Sequence, residues 1–123
     1  MTGGQEKRLL GAWGEEQAAN YLRRRGWRIL GLNYRCRYGE IDIIAKKRSV
    51  LAFVEVKLRK NADYGAAREF VTRAKQERLL TTAQLWLSEN PGNDQPRFDV
   101  IEVYAPQGME GPVRIHHIEN AFM

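Results

Sequence analysis

The sequence predicts an α/β fold: a mixed β-sheet with one helix packed on each side. Three observations lead to it. The hydrophobic period switches between helix and strand spacing several times along the 123 residues. Two segments carry an apolar stripe at three- and four-residue steps, and each such helix must cover an apolar sheet face. The strand-like segments come in runs separated by short polar turns. The expected order is α-β-β-β-α-β-β, within a single domain spanning residues 1–123.

The first helix is expected from about Gln5 to Arg25, where Leu10, Trp13, Gly14, Ala18, Tyr21 and Leu22 form the stripe and Gly26 closes it. Trp27–Leu30 reads as a short strand. Tyr34–Ala45 and Ser49–Leu58 are rich in β-branched and aromatic residues, and the polar Lys46-Lys47-Arg48-Ser49 between them suits a hairpin turn. Arg59–Arg68 is polar, contains Gly65, and is expected to be a mobile loop. The second helix should run from about Val71 to Leu87, with Ala74, Leu79, Ala83, Trp86 and Leu87 facing inward. Pro91-Gly92-Asn93-Asp94 is a turn cluster, after which Phe98–Tyr104 and Val113–Ile118 read as strands.

A chain of this length should bury roughly two-thirds of the surface it exposes when unfolded, enough for a core without metal or disulfide staples. Its one cysteine, Cys36, forms no internal disulfide and no multi-cysteine zinc site, which fits a cytoplasmic home. Met1–Lys7 is polar and Gly-rich, unlike a signal peptide, and no apolar run is long enough to span a membrane. The formal charge of +5 is modest; it suits an anionic partner such as nucleic acid, although many basic proteins bind none.

The most informative residues are charges standing where apolar residues belong. On the first helix, Glu15 shares the stripe of Gly11, Ala18 and Leu22, so it should point partly inward; a helix-edge or capping carboxylate is the plain alternative. On the strand Ser49–Leu58, period two puts Leu51, Phe53, Glu55 and Lys57 on one face, which changes from apolar to charged midway. Glu55 and Lys57 can satisfy each other as a structural ion pair, but burying such a pair costs several kcal/mol per ion without further partners. On the preceding strand Asp42 sits within Ile41-Asp42-Ile43-Ile44. If the two strands form a hairpin, Asp42 and Glu55 become direct or diagonal neighbours. Two converging carboxylates repel, and a hard divalent cation such as Mg²⁺ or Mn²⁺, held by both and by a backbone carbonyl, is the usual remedy.

Asp42, followed thirteen positions later by Glu55-x-Lys57, resembles the core of the PD-(D/E)XK nuclease motif, and Glu55-Val56-Lys57 is the chain's single acid-x-Lys triplet. A closer resemblance, covering nearly the whole chain, rests on five segments. These are Gly14-Glu15-x-x-Ala18, Tyr38-Gly39-Glu40-Ile41-Asp42-Ile43-Ile44, Phe53-Val54-Glu55-Val56-Lys57, Lys75-Gln76 and Arg97-Phe98-Asp99-Val100. They look like the YraN-like family of bacterial proteins, itself similar to archaeal Holliday-junction resolvases. The resemblance implies a restriction-endonuclease-like domain and adds a helix glutamate, Glu15, to the metal site. Ile41 stands where the superfamily name calls for proline, a position that tolerates change.

The chemistry so implied is phosphodiester hydrolysis, with 5′-phosphate products expected from the superfamily. Asp42, Glu55, the carbonyl of Val56 and, directly or through water, Glu15 are the expected ligands. Lys57 is expected to orient the water or stabilise developing charge. Glu40 shares the Asp42 face and reads better as solvated. Lys75 and Gln76 open the second helix, where a donor can meet a phosphate; with Arg35, Arg37, Arg59 and Lys60 they are the candidate nucleic-acid contacts. Other basic clusters, Arg23-Arg24-Arg25 with Arg28 and Lys46-Lys47-Arg48, suit a sequence-independent backbone affinity. Nothing here reads base edges, so structured or single-stranded nucleic acid is expected, DNA ahead of RNA. Cutting a junction needs two sites, which leaves a homodimer open. Asp99 is expected to partner Arg97. His116 and His117 point to opposite strand faces and are read as structural, Cys36 is read as a small buried residue, and no Walker-type phosphate loop is present. A non-catalytic nucleic-acid-binding or scaffolding protein on the same fold is the rival expectation, and a purely structural interaction domain the third.

Overall fold

The computed structural model describes residues 3–60 and 72–122. Helix α1 (Gly3–Arg24) leads into β1 (Arg28–Cys36), β2 (Gly39–Lys47) and β3 (Val50–Arg59); α2 (Arg73–Glu89) then precedes β4 (Gln95–Tyr104), a 3₁₀ turn (Gly108–Glu110) and β5 (Arg114–Ile118). The strands form one sheet in the order β1-β2-β3-β4-β5. Every pairing is antiparallel except β3 with β4, which is parallel. That one parallel pair follows from α2, because parallel neighbours need a long crossover where antiparallel ones need only a turn. The order and the mixed sheet are those expected of a restriction-endonuclease-like domain.

Each helix covers one face. Ala18, Ala19 and Leu22 of α1 pack on Ile43, Ala45, Ala52, Val54, Ile101 and Val103. On the other face Leu79 and Ala83 of α2 meet Ile44, Leu51, Phe53, Phe98 and Val100. The Phe53 ring lies edge-on to Trp86 at 5.9 Å between centroids, an arrangement aromatic pairs favour. α1 ends as its sequence suggests: Gly26 takes φ +88° and Trp27 N–H reaches back to the Leu22 carbonyl at 3.0 Å.

Two strands differ from expectation. β1 runs on to Cys36 instead of stopping at Leu30, and the strand expected to begin at Tyr34 is split by a two-residue turn, Arg37-Tyr38. The physical reason is that β1 continues through irregularities that read as breaks: a register shift between Ile29 and Gly31, and Asn33 in the left-handed region at φ 53°. The true turn carries no Asn or Pro, and Gly39 at its exit (φ 151°) supplies the conformational freedom. The Arg48-Ser49 turn falls within the expected polar stretch. β4 begins three residues early, at Gln95, whose N–H bonds the Ser49 carbonyl at 2.7 Å. Arg59 belongs to β3, while Asn61–Arg68 of the expected loop, with Gly65, and Val71 of the second helix lie outside the described residues. Among the described residues, no helix is long and apolar enough to cross a membrane.

Candidate metal and phosphate site

The β2–β3 ladder runs from Lys47↔Val50 to Ile43↔Val54 and stops there. One more pair in that register would set Asp42 opposite Glu55, on the face covered by α2. Instead the Val56 N–H, which would serve the ladder, donates to Asp42 Oδ2 at 2.8 Å. A strand residue sends its N–H and C=O toward the same neighbour, so the Val56 carbonyl also faces this opening. The result is a cavity of about 200 Å³ whose wall includes Glu40, Asp42, Glu55, Lys75 and Arg78.

Glu55 is the hub. Its Oε1 accepts from Lys57 Nζ at 3.2 Å and, in close contact, from Lys75 Nζ, which reaches it from the first turn of α2. Its Oε2 is buried and has no hydrogen-bond partner among the described residues. Burial pushes the Asp42 carboxyl up to about 6, with Glu15, Glu55 and Glu40 adding to the rise and the Val56 N–H opposing it. Glu15 is raised as well, chiefly by burial and then by Glu40, although a hydrogen bond from the Asn33 side chain works the other way. Burial pushes Lys57 below the ordinary lysine value against the pull of Glu55. Burial acts against the Lys75 charge too, yet its hydrogen bond to Glu55 holds it above that value.

The structure therefore brings Asp42, Glu55, Lys57 and Lys75 together, with Glu15 near enough to act on Asp42 through its charge. Other candidates lie elsewhere or do other things. Arg35 pairs with Glu40 at 3.1 Å on the surface, and Arg37 stacks on Tyr38 at the β1–β2 turn. Arg59 turns inward to buried Glu102 at 3.5 Å and is no open phosphate contact. Lys60 is exposed at the end of β3, and Gln76 is half-buried beside Lys75. Asp99 receives Arg97 as expected, and His117 as well. His116 pairs separately with Glu102 at 3.0 Å, in keeping with the two histidines' opposite faces. Cys36 is half-buried, because the β1–β2 turn lifts it to the sheet's end, where its Sγ accepts the Tyr38 N–H at 3.4 Å.

Two contributors were not singled out from sequence, and a third has a partner the sequence did not indicate. Lys75, expected to meet a phosphate, is held by Glu55. Asn33, which holds Glu15, gave one signal, an Asn interrupting a strand. Glu102 sits within Val100-Ile101-Glu102-Val103, the same charge-among-apolar signal that marked Asp42.

Among the described residues, no group of three His, Cys, Asp or Glu side chains stands together as a finished metal cage. The donors present nonetheless suit a hard divalent ion. Two carboxylates line one cavity, one keeps a buried oxygen with no hydrogen bond among the described residues, and the Val56 N–H bonded to Asp42 turns the Val56 carbonyl to the same side of β3.

The profile described as "Uncharacterised protein family UPF0102" matches residues 14–103. A UPF0102 protein of Nocardia farcinica is 46% identical over 118 residues, covering 95% of this chain and 91% of that protein. One of Symbiobacterium thermophilum is 47% identical over 116 residues (94% and 97%), and one of Caldanaerobacter subterraneus is 41% identical over 117 (94% and 96%).

Proposed function

The chain belongs to the UPF0102 family, the YraN-like proteins its motifs resemble, and we propose that it is a divalent-metal-dependent nuclease that hydrolyses phosphodiester bonds in nucleic acid. The observation that carries this reading is the opening of the β2–β3 ladder at Asp42 and Glu55. Two half-buried carboxylates line one cavity there, one with a buried oxygen that has no hydrogen-bond partner among the described residues. An unsatisfied buried acceptor costs about 1–3 kcal/mol, a cost that a cation held between the two carboxylates would remove.

Asp42, Glu55 Oε2 and the Val56 carbonyl would hold the ion, with Glu15 joining directly or through water. A bound Mg²⁺ or Mn²⁺ supplies a water of lowered pKa and positive charge against the phosphoryl oxygens. Lys57, fixed on the same strand face two residues from Glu55, orients that water and opposes charge growing on the phosphate. Exposed Arg35, Arg37 and Lys60 contribute contacts to the nucleic-acid backbone, which read charge and not sequence. Structured or single-stranded DNA is the substrate we assign, ahead of RNA. Cutting a junction would require a homodimer. A cytoplasmic setting accompanies this reading.

A second reading, a nucleic-acid-binding or scaffolding protein without turnover, is favoured by one observation: both lysines already neutralise Glu55. Incubation with branched, single-stranded and duplex nucleic acids, with Mg²⁺ or Mn²⁺, separates the two. We expect cleavage that chelator and Glu55→Ala both abolish. Binding with no cleavage of any substrate, in either metal, establishes the second reading.

A further inference from the structure

The two lysines on Glu55 are not equivalent. Lys57 is placed by the pleat of β3, two residues from Glu55, and stays on that face whatever Glu55 binds. Lys75 comes from another element across the cavity and meets the same oxygen from the first turn of α2. That turn begins at Thr72, whose hydroxyl accepts the Lys75 N–H at 3.2 Å, and it contains no acidic residue. A cation at a helix N-terminus opposes the helix dipole, so the Lys75 ammonium is favourable there only with an anion beside it. Glu55 is the anion present, and a phosphate oxygen is an equivalent one.

Resting on the reading of Asp42 and Glu55 as metal ligands, we propose that Lys75 is a guarding counter-cation. It holds Glu55 while no metal is bound and passes to a phosphate when a divalent ion takes the carboxylate. Lys75 lines the cavity together with the exposed Arg78, so the released ammonium already faces the space a phosphate would enter. Two consequences follow. An ion arriving alone must displace an ammonium and binds weakly. An ion arriving with nucleic acid displaces it onto a new partner and binds more tightly, and by linkage the ion tightens nucleic-acid binding by the same factor. Ion and substrate thus load together.

The test is Mn²⁺ binding, followed by the electron-paramagnetic signal of the free ion, for wild type, Lys75→Gln, Lys75→Arg and Asp42→Asn. Each is measured with and without a short single-stranded DNA carrying hydrolysis-resistant phosphorothioate links. Without DNA, Lys75→Gln should bind Mn²⁺ about 5-fold or more tighter than wild type, and Lys75→Arg should resemble wild type. Adding DNA should tighten Mn²⁺ binding about 5-fold or more in wild type and less than about 2-fold in Lys75→Gln. Equal or weaker Mn²⁺ binding by Lys75→Gln, with binding that Asp42→Asn still abolishes, overturns the role of Lys75 and leaves the site standing. Mn²⁺ bound by none of the proteins overturns the site and the inference together. A readout that needs no substitution is the ¹³C-methyl signal of reductively methylated Lys75, which should move on saturation with Mg²⁺; a signal that stays in place also overturns the guarding role.

Discussion

Two aspartates of one sheet, Asp99 buried and Asp42 half-buried, meet opposite fates. Asp99, on the α1 face of β4, accepts two bonds from Arg97 (2.8 and 2.9 Å), one involving His117 Nε2 (2.8 Å) and one from the Asn120 N–H (3.0 Å). Burial works against its charge, yet these partners hold its carboxyl below the ordinary value. Asp42, on the α2 face of β2, has the Val56 N–H and a surround of other carboxylates, and its carboxyl is pushed up to about 6. Loss of solvent works against the charge of both. What separates them is whether the protein itself supplies the counter-charge, and where it does not, a cation from solution has a place to act.

The sharpest way to break this contrast is to delete the satisfied group. Asp99→Ala strands Arg97 and His117, and should lower unfolding free energy by about 3–5 kcal/mol in urea titration. A loss under 1 kcal/mol would show that the cluster is no structural anchor. Next in size, Lys57→Ala should cut turnover about 10²- to 10³-fold, while Lys75 still neutralises Glu55 and limits the loss of stability. A metal-free melting temperature far below wild type, with a wild type indifferent to Mg²⁺, would instead make Glu55 and Lys57 a structural pair.

On stability alone a smaller effect is that of Asp42→Asn, which should end cleavage yet raise metal-free stability at pH 7.5 by about 1–2 kcal/mol. The sign follows from the raised carboxyl. Between its folded value of about 6 and its ordinary 3.8, the folded protein takes the proton first, so stability rises as pH falls through that window. The Asp99 contribution runs the other way: it is complete above 3.8 and is lost as pH falls toward its lower folded value. Subtracting the Asn variant's unfolding curve from that of wild type at pH 7.5, 5 and 3.5 should isolate the first window, and a difference flat with pH would refute the raised Asp42. The smallest effect expected is that of exposed Lys60: Lys60→Ala should reduce the slope of log affinity for DNA against log salt by about 0.7–0.9, one phosphate contact. An unchanged slope would remove Lys60 from the interface.

What the sequence revealed of the site tracks how local the determining geometry is. Asp42 and Glu55 could be placed together because a hairpin register fixes which residues are neighbours across the two strands, and Arg48-Ser49 turns where the polar stretch suggested. The partnership of Lys75 with Glu55 was hidden because it depends on how α2 is set against the sheet, which no periodicity encodes. Arg59 looked like a free basic residue for a related reason. Its partner Glu102 lies on β4, brought alongside β3 by a parallel register that places Lys57 beside Glu102. The Arg37-Tyr38 turn escaped notice because neither residue belongs to the usual turn-formers.

The kink in β1 bears on how the molecule behaves in crowded solution. Among the described residues β1 and β5 are the outer strands, and an outer strand offers a row of open main-chain groups on which another sheet can grow. On β1 the register shift at Ile29/Gly31 and the left-handed Asn33 put those groups out of step, although Leu30 and Leu32 are exposed beside them. On β5 only five residues, Arg114–Ile118, are extended, with Arg114 exposed at one end. The same Asn33 that holds Glu15 therefore also spoils the template for sheet-to-sheet growth, and an Asn33→Val variant that straightened β1 should form fibrous aggregates faster than wild type on gentle heating.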